Sequence, residues 1–70
     1  MKKYNNFCIT WNENGAKNEQ ILFCKLYAIK IYMELLTSDR EISSLAIFGV
    51  TRKDFNLENI TGTVNRFLDN

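Results

Sequence analysis

The sequence predicts an α+β fold: a small ββαβ domain, in which a three-stranded antiparallel sheet packs on one helix, with a short C-terminal helix after it. Three observations predict it. Asn14-Gly15 sits between two segments of β-type residues and marks a hairpin turn. From Lys25 to Thr37, apolar residues recur at helical spacing. Beyond them, Ile42 to Thr51 is again rich in β-branched residues, and no proline interrupts it.

The first strand is "FCITW", residues 7 to 11, with Phe7, Ile9 and Trp11 on one face and Cys8 and Thr10 on the other. Gly15 readily takes positive φ, and Asn14 tolerates it better than most residues. The competing reading is one helix from Ala16 to Leu36, but it places Lys25 in the middle of the apolar stripe. A second strand, Glu19 to Phe23, followed by a helix from Lys25 to Thr37, removes that conflict. The helix then buries Ala28, Ile29, Tyr32, Leu35 and Leu36, and exposes Lys30 and Glu34 as an i,i+4 pair. Its start at Cys24 lacks a good capping side chain.

Two hairpin registers are open. A two-residue Asn14-Gly15 loop pairs Phe7 with Leu22. A three-residue loop with a glycine bulge pairs Phe7 with Ile21 and Trp11 with Lys17. The second is preferred, because Ile21 and Phe23 then share a face with Phe7, Ile9 and Trp11.

In the third strand, Ile42, Ala46, Phe48 and Val50 fall on one face and Leu45 and Ile47 on the other, as in a strand covered on both sides. A right-handed crossover sets this strand beside the first, which becomes central. In the tail, Leu57, Ile60, Val64, Phe67 and Leu68 recur at helical spacing, with Asn56 as N-cap and Gly62 as a weak point. That helix is expected to cover the second sheet face or to dock on a neighbouring subunit. The outline is similar to that of many small phage and mobile-element proteins. The abundance of Asn, Lys, Ile, Tyr and Phe likewise resembles AT-rich coding sequence.

Seventy residues make a single domain, 1–70. A chain this short buries only about 60% of its unfolded surface and is marginal alone. With no His and two Cys it builds neither a zinc site nor a disulfide framework, so oligomerisation or docking is the expected remedy. The net charge of +1 is spread in alternating signs, which disfavours both a phosphate-binding field and an acidic mimic of nucleic acid. The N-terminus lacks the apolar run of a secretory signal, and Lys25, Lys30 and Glu34 interrupt the most apolar stretch. A cytoplasmic, intracellular protein with reduced thiols is expected.

Chemistry is sparse. Without His the commonest general base is missing. The carboxylates are scattered, the glycines are isolated, and no phosphate loop exists. Cys24 beside Lys25 is the one nucleophile candidate, read here as a packed core thiol. No enzyme and no cofactor is expected. Partner-binding candidates are Trp11, Lys17, Tyr27, Arg52 and Lys53. Trp11 also reads as a cap on the core, and Tyr27 as an exposed helix residue. Tyr4, Phe48 and Phe67 are assigned to the core. The expected function is non-catalytic protein–protein interaction by a homo-oligomer without membrane contact, such as a phage or mobile-element inhibitor of a host defence protein. Two alternatives stand beside it. One is a nucleic-acid-binding accessory protein, stacking bases on Phe7 and Trp11 beside Lys17, Arg52 and Lys53. The other is an oligomer that sequesters a small nucleotide between subunits.

Overall fold

The hairpin forms as Asn14-Gly15 predicts, but in the other register. β1 (Asn6–Glu13) and β2 (Ala16–Leu22) pair with Phe7 opposite Leu22 and Trp11 opposite Asn18. The preferred three-residue loop is therefore corrected to a two-residue one. Asn14 at φ 53° and Gly15 at φ 82° are both left-handed, as a type I′ turn requires, and its twist matches the flanking strands. Turn geometry outweighs side-chain count. Leu22 enters the core, while Ile21 and Phe23 stay exposed. These relations come from a computed structural model, which describes residues 4–51 and 56–69.

α1 (Lys25–Leu36) and β3 (Ile42–Val50) follow, with the predicted boundaries to within a residue. Next come β4 (Leu57–Asn59) and α2 (Thr61–Asp69). The sheet has four strands in the order β2-β1-β3-β4, all antiparallel, with β1 between β2 and β3 as the crossover requires. The predicted three-stranded sheet gains an edge because residues 57 to 59 pair with Val50, Gly49 and Phe48 instead of starting the last helix. Asn59 Oδ1 then accepts the Thr61 N–H at 3.0 Å, so the helix begins two residues after that strand ends.

One core holds these elements together. Ile9, Ile47, Ala28 and Tyr32 are almost wholly buried, joined by Phe7, Leu22, Leu35, Ile60 and Val64. α2 thus packs beside α1, on the same side of the sheet, and Tyr32 donates a 2.6 Å hydrogen bond to Asn65 across the two helices. The expectation that the tail covers the second sheet face, or leaves to dock elsewhere, is overturned. Ile60 and Val64 reach the core that α1 already faces, and the Ile60 N–H bonds to the Ile47 carbonyl at 3.0 Å.

β3 is also corrected. Its pairing with β1 shifts between Thr10 and Asn12, so that Ser44 and Leu45 oppose Trp11 alone. Ser44 takes φ 53°, the left-handed conformation of a bulge. The extra residue reverses the alternation, which brings Ile42 to the same side as Leu45 and Ile47. Ala46, Phe48 and Val50 go to the opposite side, in register with Thr10, Cys8 and Asn6.

At one end of the core, Tyr4 lies over Gly49. A Cβ at Gly49 would come within 2.5 Å of the Tyr4 ring, so only glycine allows this approach. The ring meets Phe7 edge-on, with centroids 5.9 Å apart, and its hydroxyl donates to Glu58.

Candidate functional site

With both helices on one side, the other side of the sheet has no covering layer among the described residues. Strand alternation and register put Cys8 and Thr10 of β1, Lys17, Glu19 and Ile21 of β2, and Ala46, Phe48 and Val50 of β3 on that side. Leu57 of β4, opposite Val50, completes it. The face is graded. Cys8, Ile21, Phe48, Val50 and Leu57 make one end apolar, while Thr10, Asn12, Lys17 and Glu19 make the end near the hairpin turn polar. Ile21 is 56% and Leu57 62% exposed, so water meets apolar surface on both flanks of Phe48. A shallow depression of about 560 Å³ runs between the two ends, and Cys8, Lys17, Glu19, Phe48 and Leu57 are among its walls.

The thiol on this face is held in its protonated form. Cys8 is buried by its neighbours, and that burial pushes its thiol pKa up, with the Glu19 carboxylate adding to the effect. A thiol held protonated is a packing group. Cys24, read from the sequence as a core thiol, is exposed instead. It occupies the α1 N-cap in extended conformation and makes no capping bond with its side chain. Cys24 lies beyond the last paired residue of β2, at the junction where the chain enters α1, and there its side chain meets solvent. Among the described residues, no group of three or more His, Cys, Asp or Glu stands close enough to hold a metal ion. No helix among them is long and apolar enough to cross a membrane.

The predicted partner-binding residues are not gathered in one patch. Lys17 is exposed on the uncovered face. Trp11 lies half-buried against the core on the other side, yet its edge also borders the depression. Its indole N–H donates to Glu13 at 3.2 Å, and the same carboxylate meets Arg40 at 3.2 Å. Tyr27 is 52% exposed on α1, across the sheet from Lys17. Arg52 and Lys53 lie outside the described residues. Phe7, proposed with Trp11 as a base-stacking pair, is buried beneath the helices and offers no ring to a ligand.

Two apolar residues that the sequence assigns to the core lie on the uncovered face instead. Ile21 and Phe48 were read as core and instead face solvent wholly or in part, because register and bulge turn them outward. For Phe48 the signal was a third strand apolar on both faces; for Ile21 it was the other of the two open hairpin registers, the one with the two-residue loop. A second apolar stripe runs along the outside of α1 through exposed Leu26 and Met33 and half-buried Ile29, and the expected burial of Leu36 and Phe67 on the helices also fails. Both are more than half exposed.

Compared with protein families, with curated proteins and with solved structures, the chain finds no match in any of the three.

Proposed function

We propose that this domain is a non-catalytic protein–protein interaction module that self-associates, and that the uncovered sheet face is its binding surface. One observation carries the reading: two helices share one side of a four-stranded sheet, leaving Ile21, Phe48, Val50 and Leu57 on the other. Contiguous apolar surface rimmed by polar groups is the usual mark of a protein-binding site. Burying these side chains against a partner returns about 25 cal/mol for each Å² removed from water. A module of this kind, lacking a reactive centre, acts by occupying a partner's surface. Inhibition of a second protein is the plainest use of such an act.

The test is the mass in solution, by light scattering after size exclusion across a dilution series, for the native chain and for Phe48→Asp. Phe48 is half-exposed and sits outside the buried core, so the variant should keep its fold, as circular dichroism will show. We expect the native chain to exceed the monomer mass and the variant to lose part of that excess. Equal masses for the two proteins would overturn the assignment of this face to self-association.

A further inference from the structure

The two edges of the sheet are built differently. β4 is three residues long, and the chain closes that side itself: beyond β4, the Ile47 N–H donates to Thr61 Oγ1 at 3.0 Å and its carbonyl accepts from Ile60. β2, at the opposite edge, runs seven residues without proline, glycine or bulge, and every residue but Leu22 is exposed. Open edges are ordinarily blunted by such devices, or by charge. Here the charges are Lys17 and Glu19, of opposite sign and two residues apart.

Hairpin geometry says which backbone groups are free. Across a two-residue loop the closing pair, Glu13 and Ala16, exchanges both of its hydrogen bonds, and alternate pairs after it do the same. Asn18, Gln20 and Leu22 therefore turn their N–H and C=O toward β1. The Asn14 N–H, which points the other way to the Glu41 carbonyl, has the matching phase. Lys17, Glu19 and Ile21 turn theirs outward.

We infer that the partner on this edge is a second copy of the chain, joined β2 to β2 in antiparallel register about a two-fold axis at Asn18. In that register Lys17 of each copy is opposite Glu19 of the other, and both pairs are hydrogen-bonded pairs of the new ladder. Each cation meets an anion twice over by symmetry, as an isologous interface demands. Sliding the pairing two residues, to centre on Glu19, sets two carboxylates face to face, which disfavours it. Charge thus selects the register that backbone phase allows.

Size supports the same partner. A single four-stranded face is about 19 Å by about 23 Å, a flat area of about 440 Å². A standard interface takes roughly 800 Å² from each partner. Joining two copies edge to edge makes one eight-stranded sheet whose uncovered faces are continuous, and the combined area reaches that size. The backbone and charge arguments concern the edge alone, while this size argument rests on the face reading and explains how so small a face becomes a sufficient one.

The experiment uses the full chain carrying Phe48→Asp, so that face contacts are already weakened. Light scattering should give two chains for this protein, one chain for F48D with either K17E or E19K, and two again for F48D with both exchanges together. Rescue by the double exchange reads the pairing itself, since a merely structural role would not restore it. A second measurement reads the register. In a Cys24→Ser background, Asn18→Cys should oxidise to a covalent dimer, because residues across the axis of a non-hydrogen-bonded pair stand about 4.5 Å apart. Gln20→Cys, about 13 Å from its symmetry mate, should not. One chain for F48D itself, no rescue by the double exchange, or cross-linking at residue 20 as readily as at 18 would each overturn the proposal. A native dimer that F48D reduces to one chain keeps the face reading and discards the edge. A two-chain mass unchanged by F48D, with rescue by the double exchange, does the reverse.

Discussion

Ile47 and Phe48 are neighbours on β3, and each is paired across to β1, with Ile9 and with Cys8 respectively. Ile47 is wholly buried under the helices, whereas Phe48 lies half-exposed on the uncovered side. Both residue types favour strands, and both sit in the centre of the sheet. What separates their roles is the layer above them. On one side apolar area is removed from water by Ala28, Tyr32 and Val64; on the other no described helix covers it. The same strand therefore supplies the core from one face and, in the function proposed above, the binding surface from the other.

The contrast breaks most sharply by truncation. Ile47→Ala should cost about 2–5 kcal/mol through lost burial and the cavity left behind, a large share of what a domain of this size has. Phe48→Ala should cost less, about 1–2 kcal/mol in the isolated chain, because part of its ring already meets water. Urea denaturation of both variants, at a concentration where the chain is monomeric, checks the difference.

Gly49, next along β3, tests how tightly the covered side is closed. Gly49→Ala should cost about 1–3 kcal/mol, because the new methyl would come within 2.5 Å of the Tyr4 ring and force it to shift. The variant should also lose the Tyr4–Glu58 hydrogen bond.

That bond supplies the smallest effect and the one that depends on pH. The Tyr4 hydroxyl is pushed from 10.0 to about 12, first by its hydrogen bond to Glu58, then by desolvation and by the nearby negative charge. A folded-state value above the unfolded one means stability that is present below pH 10 and is lost as pH rises toward about 12. Tyr4→Phe should flatten the fall in denaturation midpoint across that window. An absorbance titration should show one tyrosine transition near 12 in the native chain that is missing from the variant.

The order β1, β2, α1, β3 was legible in the sequence because its signals are local, while β4 was not. Asn14-Gly15 has the torsional freedom that a tight hairpin needs, and the helical spacing of Ala28, Tyr32 and Leu35 holds whatever the helix packs against. Of the proposed interaction face, Lys17 could be found from its place beside the turn. Ile21 and Phe48 could not, since an apolar residue in a strand is indistinguishable from a core residue until its side of the sheet is known.

By itself, then, the sequence determined the hairpin, the first helix, the third strand and the central place of the first, because turn torsions, helical periodicity and crossover handedness act over a few residues or by general rule. Tertiary structure alone decided the bulge at Ser44, the pairing of Leu57 to Asn59 with β3, and the packing of α2 beside α1. A serine carries no sign that it will take positive φ, and three residues carry too little propensity to declare themselves a strand. Which face of a sheet is buried is a property of what lies over it. That depends on contacts between residues far apart in the chain, which no local pattern records.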